Sequence, residues 1–199
     1  MSETSETSVV TESFKGVQDE LAKDRNRFAV PKLERIIVNV GLGSRKDDKA
    51  YKEMVLGSLA LITGQKASVR AARKSIAGFK LREGQEIGAS VTLRGRRMQD
   101  FFYRLVHVAM PRIRDFRGIS PKGFDGQGNF SVGIKEHTVF PEISFEDVSQ
   151  AHPLGITIVT TADDDNEAFD LLKRLGFPFA EGRPKQRGGK HGKQSKDKK

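Results

Sequence analysis

The side chains that most often perform catalysis or bind metals are few and scattered in this sequence. Its four histidines lie at positions 107, 137, 152 and 191, and none has the spacing of a metal-binding motif such as H-E-x-x-H. The chain has no cysteine, which excludes a disulfide, a thiolate zinc site, an iron–sulfur cluster and a cysteine nucleophile. We therefore predict no enzyme activity, no catalytic or metal-binding residue and no cofactor.

Two short motifs could still suggest chemistry. Gly41-Leu42-Gly43 follows a predicted strand, as in dinucleotide-binding folds, but the third glycine of that fingerprint is missing. The acidic run Asp163–Asp165 could suggest a metal site. Because it precedes a predicted helix, we interpret these acids as residues that cap the helix and stabilise its start through the helix dipole.

The basic residues form a stronger pattern. Nine lysines and arginines and two acids lie between residues 66 and 97, and five bases and one acid lie between residues 104 and 122. Arginine and lysine neutralise phosphates, and an aromatic ring can stack on an unpaired base. The pattern favours nucleic-acid binding over a merely solvated charged surface. Phe79 lies within the first stretch. The composition of the surrounding loop fits a buried core residue and a base-stacking residue equally well.

The charge of the whole chain points the same way. The 199 residues carry a formal net charge of +9, of which residues 1–13 contribute −3, residues 181–199 contribute +6 and residues 14–180 contribute +6. A basic body indicates a phosphate-bearing partner, either nucleic acid or an anionic membrane surface. The longest nearly apolar stretch, 54–62, is much shorter than the roughly 20 residues of a membrane span, and the N-terminus lacks the features of a secretory signal. We expect a soluble cytoplasmic protein.

Hydrophobic periodicity predicts the elements that must position these residues. The predicted helices cover residues 14–28, 49–63, 96–110 and 163–179. The predicted strands cover 35–43, 67–71, 87–94, 129–135, about 138–143, and 155–162. Residues 111–130 are predicted to form an edge strand or an ordered loop.

This arrangement predicts an α+β fold. We expect a mostly antiparallel β-sheet with helices packed on one face, and with the other face and the loops open for RNA. The predicted organisation is a disordered acidic leader (1–13), one α+β RNA-binding domain (14–180) and a disordered basic tail (181–199).

Four segments carry a resemblance to a known family. They are VPKLERIIVNVGLG (30–43), LITGQKASVRAARKSIAGFKLREGQEIGASVTLRG (61–95), PRIRDFRGISPKGFDGQGNFSVGIKEHTVFPEI (111–143) and ITIVTTA with LLKRLGFPF (156–179). In this order they resemble the bacterial family of large-subunit ribosomal protein number five, nearly colinearly from about residue 14 to residue 179. The resemblance implies an α+β, non-enzymatic protein of the ribosome.

The resemblance also implies partners. The family binds 5S rRNA and helps attach it to the large subunit in the central protuberance, next to 23S rRNA and neighbouring large-subunit proteins. It contacts small-subunit protein thirteen and the P-site tRNA, and no homo-oligomer is expected. The residues that the resemblance assigns to 5S rRNA are Arg35, Asn39, Gln65, Phe79 and Thr92.

The remaining assignments concern loops and basic residues. The tRNA-facing loop, 73–84, includes Arg73, Lys74, Ser75, Ile76, Lys80 and Arg82, and we expect its tip to be mobile until RNA orders it. Further RNA or intersubunit contacts are expected from Arg94, Arg97, Arg112, Arg114 and Arg117, with the small-subunit contact within about 111–143. This sequence has Arg35 where many members have lysine, and Ala72 where a lysine is common.

Two other classes of protein are also basic. A free nucleic-acid-binding regulator would usually contain a helix-turn-helix or another groove-reading element, and none is found in the sequence. A peripheral membrane protein would need an amphipathic basic helix, whereas the bases here lie mainly on predicted strands and loops. Co-sedimentation with large ribosomal subunits distinguishes the three classes.

Overall fold

The computed structural model describes residues 12, 14–22, 26–45, 48–143 and 151–184. The predicted disorder of the leader and tail concerns residues that lie almost entirely outside these ranges. Four helices and a five-stranded sheet form the described part of the chain, which confirms the predicted α+β class. Within it, no helix is long and apolar enough to span a membrane.

All pairings in the sheet are antiparallel. The strands are β1 (Leu33–Gly41), β2 (Ser68–Ala71), β3 (Glu86–Leu93), β4 (Phe130–Ile134) and β5 (Leu154–Thr160), in the spatial order β2-β3-β1-β5-β4. Each agrees with its predicted range to within about two residues. The central strand, β1, contains four β-branched residues in the run RIIVNV and has a paired neighbour on both sides.

Side chains alternate strictly across this sheet because successive residues of a strand point to opposite faces. The buried face carries large apolar residues from four strands, such as Ile36, Val91, Phe130 and Ile156. The other face carries mainly polar and small residues, together with Ile37 and Val159, and all of these are exposed or half-buried. The predicted division into one helix-covered face and one open face is therefore confirmed.

The helices that cover the buried face have clear sequence signals. Helix α1 is described over residues 14–21, and the others are α2 (Lys49–Thr63), α3 (Gly95–Arg104) and α4 (Asp165–Arg174). In α2, the Asp48 side chain accepts a hydrogen bond from the Tyr51 N–H at 3.1 Å, and Gly64 ends the helix with a φ of 65°. Helix α3 continues through a π-helical turn, Leu105–Ala109, into a 3₁₀ turn at Pro111.

The first helix is shorter than predicted. It ends near residue 22, and Arg27–Ala29 form a separate 3₁₀ turn before β1. Phe14 packs against Phe102 of α3 with ring centroids 5.7 Å apart, as the apolar stripe predicts. Phe28 does not belong to that stripe, because its side chain is 96% exposed.

The predicted strand at about 138–143 is wrong. His137–Val139 form a 3₁₀ turn, followed by a second turn in which the Ile143 N–H donates to the Phe140 carbonyl at 3.2 Å. Phe140 and Ile143 are nevertheless buried. Their apolar character therefore reflects insertion into the core and not pairing in the sheet. For residues 111–130 the ordered loop is correct, with a 3₁₀ turn at Pro121–Gly123.

Asp165 has a different role from the one that the sequence suggests. Its Oδ1 atom accepts hydrogen bonds from the N–H groups of Gly126 and Gly128, both at 3.0 Å, and the residue is buried. Asp164 occupies the N-cap position without a side-chain hydrogen bond. The capping interpretation is therefore wrong for these two side chains: Asp165 anchors the glycine loop that leads into β4. Among the described residues there is no cluster of three or more metal-ligating side chains.

Candidate nucleic-acid interface

The open face of the sheet is lined by short polar side chains and glycines. Across β3, β1 and β5 the register places Thr92, Ile37 and Thr157 in one row, and Ser90, Asn39 and Gly155 in the next. Ser131 and Gly133 continue these two rows on β4. The result is a surface that offers hydroxyl and amide groups, with few bulky side chains to keep an RNA backbone away.

Asn39 is the most prominent amide on this face. It lies opposite Ser90 on one neighbouring strand and opposite Gly155 on the other. A Cβ atom built on Gly155 would lie 2.6 Å from the Asn39 Oδ1 atom, so the amide rests over the space that the glycine leaves. The glycine thus sets where the Asn39 amide is presented.

Two arginines meet at one corner of the face. Glu34 accepts hydrogen bonds from Arg35 at 2.7 Å and from Arg94 at 3.4 Å through the same Oε1 atom. Because all three side chains are partly exposed, each ion pair contributes at most about 1 kcal/mol to stability. Each guanidinium has five N–H donors, so the shared carboxylate orients both groups while leaving donors for phosphate.

A third arginine lies toward the opposite edge. Arg70 of β2 is paired with Gly88, and its Nε donates to the Ser90 hydroxyl at 2.8 Å. Arg70 is one of the nine bases of the stretch 66–97, but the sequence assigned neither it nor Ser90 to the 5S rRNA site. The alternation of side chains along β2 and β3 indicates which residues share a face of each strand. Only the register of the two strands shows that Arg70 and Ser90 are neighbours, and sequence spacing does not supply that register.

Gln65 adjoins the open face from the turn between α2 and β2. Its Nε2 atom donates to the Thr92 carbonyl at 3.4 Å, and its backbone N–H lies 3.3 Å from the Thr63 hydroxyl. The fold therefore brings Arg35, Asn39 and Thr92 onto one face with Gln65 beside it. These are four of the five residues predicted for 5S rRNA.

Phe79, the fifth, lies at the tip of the loop between β2 and β3. Its side chain is 78% exposed, which excludes the core interpretation. Ile76 and Leu81 form an antiparallel β-bridge across the loop: the Ile76 N–H donates to the Leu81 carbonyl at 3.0 Å, and the Leu81 N–H donates to the Ile76 carbonyl at 3.1 Å. Lys80 has a positive φ of 49°. The loop is thus a hydrogen-bonded hairpin that exposes an aromatic ring to solvent.

The same loop presents its cations outward. Arg73, Lys74, Lys80 and Arg82 are exposed, as is Ser75, whose hydroxyl accepts a hydrogen bond from the Glu83 N–H at 2.9 Å. At the base of the loop, Ala72 is buried and its carbonyl accepts from Gly84 N–H at 3.0 Å. The hydrogen bond between Ala72 and Gly84 closes the base of the loop, where the small alanine side chain is buried. The charged side chains begin with the next residue, Arg73.

The remaining predicted contacts lie away from the sheet strands. Arg97 is exposed near the start of α3, and Arg112, Arg114 and Arg117 are all exposed in the segment that follows α3. Asp115 has a positive φ of 55° between the last two. None of these arginines belongs to a strand of the sheet.

The histidines, far apart in the sequence, include one buried pair. His137 and His152 stack with ring centroids 3.8 Å apart, and the His152 Nε2 atom lies 3.3 Å from the Ser58 hydroxyl. Burial lowers the pKa of both rings, and that of His152 falls to about 4 with a smaller contribution from His137. The Glu136 carboxylate acts on His137 through its charge, but no hydrogen bond joins either ring to a carboxylate in the described part of the chain. We interpret the pair as part of the core.

Comparison with known proteins gives a single family. Residues 26–82 match the family model described as ribosomal protein L5, and residues 86–179 match the model of the C-terminus of the same ribosomal family. The chain is 54% identical over 154 residues to the large ribosomal subunit protein uL5 of Halothermothrix orenii, covering 77% of this chain and 86% of that protein. It is 52% identical over 166 residues to uL5 of Brachyspira hyodysenteriae, covering 82% and 89%. The chain therefore belongs to the ribosomal protein L5 family, the uL5 proteins of the large ribosomal subunit, which are structural components of the cytoplasmic ribosome and not enzymes.

Proposed function

We propose that this protein binds 5S rRNA through the open face of its sheet and helps attach it to 23S rRNA in the central protuberance. The observation that carries the proposal is the juxtaposition of Asn39 and Thr92 on a helix-free, glycine-containing face with arginines near two of its edges. Phosphate contacts from the arginines would position the RNA, while hydroxyl and amide groups contact sugars and base edges.

The loop 73–84 and the segment 111–143 extend the proposal to other partners. The loop exposes its cations and Phe79, and such side chains suit a single-stranded or bent RNA. This supports the P-site tRNA as the partner of the loop, or a contact between Phe79 and 5S rRNA. The arginines after α3 support a contact with small-subunit protein thirteen or with rRNA.

Filter binding of the full chain to a 5S rRNA transcript across a salt series tests the central claim. If about five phosphates are neutralised, log K should fall with log salt with a slope on the order of −4. Arg94→Ala should reduce the magnitude of this slope by about 1. Lys173→Ala removes the same charge from an exposed position on α4 and should leave the slope unchanged. A flat salt response, or equal effects of both variants, contradicts binding by the open face.

A further inference from the structure

Phe28 is the most exposed of the large apolar side chains in the described part of the chain, at 96%. A single exposed apolar side chain is ordinary on a protein surface. What distinguishes Phe28 is its setting, because the backbone that carries it is fixed and the side chains around it are cationic and polar.

Hydrogen bonds and a buried neighbour fix the backbone at this position. The Asn26 side-chain oxygen accepts from the Phe28 N–H at 3.1 Å, and the Asn26 carbonyl accepts from the Ala29 N–H at 2.9 Å. Val30, two residues on, is buried, and Pro31 follows it. The ring is therefore exposed on a short turn. Hydrogen bonds to Asn26 hold the turn on its N-terminal side, and the buried Val30 anchors it on its C-terminal side.

A cleft of about 390 Å³ lies between this turn and α1. Its lining contains one aromatic ring, one buried aliphatic side chain, two lysines, one amide and one carboxylate: Phe28, Val30, Lys15, Lys32, Gln18 and Asp19. The volume is within the range of about 300–1,000 Å³ that holds small ligands, so a nucleobase with part of its backbone fits. Among the described residues of the lining, Phe28 is the one exposed apolar side chain, and this small apolar area favours a nucleobase over a protein partner.

The cleft is also close to the proposed RNA surface along the chain. Lys32 continues the β1–β5 ladder by one residue, since the Thr161 N–H donates to its carbonyl at 2.9 Å. Arg35, at the basic corner of the open face, is three residues further along β1 and so within about 11 Å of Lys32. An RNA strand that leaves the open face at this corner would reach the cleft within a few nucleotides.

We infer that Phe28 stacks on an unpaired base of ribosomal RNA, while Lys15 and Lys32 bind the phosphates on either side of that base. This inference rests on the proposed function and adds to it a second contact outside the sheet. Stacking on an aromatic ring accepts any base, and the two ammonium groups supply the phosphate contacts that hold the strand in place.

The absence of tryptophan from the chain allows a direct test. Phe28→Trp places a single indole at the site, and a base stacked on the indole quenches its emission. The full-length variant is titrated separately with 5S rRNA and with 23S rRNA, and filter binding is measured in parallel. We expect saturable quenching by at least one of the two RNAs, and the RNA that quenches identifies the source of the base.

Leu61→Trp provides the matched control, because Leu61 is 62% exposed on α2 and is not part of the cleft. Its emission should stay constant on the same RNAs. With the RNA that quenches, Phe28→Ala should weaken binding by about 5- to 150-fold without lowering the melting temperature. Constant emission from the Phe28→Trp variant with both RNAs while filter binding persists overturns this inference alone. Loss of 5S rRNA binding by the unmodified chain overturns the proposed function instead.

Discussion

His137 and His152 stack in the interior with ring centroids 3.8 Å apart, although fifteen residues separate them in the sequence. The backbone N–H of His137 donates to the His152 carbonyl at 3.1 Å, and the backbone N–H of His152 donates to the His137 Nδ1 atom at 3.3 Å. The pair thus joins the turn after β4 to the start of β5, and Ser58 links it to α2.

This pair predicts acid sensitivity. Burial lowers the pKa of His152 from 6.5 to about 4, so between these values the unfolded chain binds more protons than the folded one and stability decreases as the pH falls. The loss from His152 should reach about 3 kcal/mol by pH 4. Burial also lowers the pKa of His137, so this second ring adds to the loss, although Glu136 limits the shift. Urea unfolding at pH 7.5, 5.5 and 4.5 measures the change.

His152→Phe separates the histidine from other acid-titrating groups. Phenylalanine keeps a stacked ring and does not bind a proton, and the Ser58 hydroxyl retains its hydrogen bond to the Val55 carbonyl. We expect the variant to lose most of the stability difference between pH 7.5 and pH 4.5. An undiminished difference would assign the acid sensitivity to other groups.

Asp165→Ala should destabilise the protein by about 2–4 kcal/mol. The substitution leaves the N–H groups of Gly126 and Gly128 without their charged acceptor in a part-buried loop. Asp163→Ala is the control, since Asp163 is exposed, and it should change stability by no more than about 0.5 kcal/mol. Equal destabilisation by both variants would favour a general helix-dipole effect over the hydrogen bonds to the glycine loop. Thermal and urea unfolding measure both.

Gly155→Ala should weaken binding to 5S rRNA several-fold with little change in stability. The new methyl group would displace the Asn39 side chain, and that end of the side chain can move without disturbing the strand. Gly133→Ala, on the neighbouring strand β4, adds the same methyl group where no atom lies within 4 Å. If the two variants bind equally well, the position of the Asn39 amide does not matter for RNA recognition. Filter binding and unfolding curves decide this.

Phe79→Ala tests the loop. Because the ring is 78% exposed, the free energy of unfolding should change by less than about 0.5 kcal/mol. If Phe79 stacks on a base, 5S rRNA affinity should fall by about 1–3 kcal/mol. Leu61→Ala, at a similarly exposed apolar position on α2, should affect neither quantity. A large loss of unfolding free energy with unchanged 5S rRNA affinity would contradict this role and indicate that Phe79 packs in the core.

The sequence alone determined the features that depend on local order. Periods of two and 3.6 residues located the five strands and the helices, and the strength and clustering of positive charge indicated a nucleic-acid partner. These signals are local, because backbone conformation and amphipathicity depend on neighbours a few residues apart. The same locality explains the error at 138–143, where an apolar run in a turn has the composition of a strand, and the error at Phe28, where an apolar residue continues a spacing whose helix has already ended.

Only the tertiary structure decided which residues act together. Asn39 meets Gly155, and Arg35 and Arg94 share Glu34, because strand register and strand order place them side by side. Phe79 could be classified only when its exposure was known, and Asp165 only when the glycine loop was seen to approach it. Asn39 and Gly155 are 116 positions apart, and no local pattern encodes such contacts because they arise from the packing of complete elements.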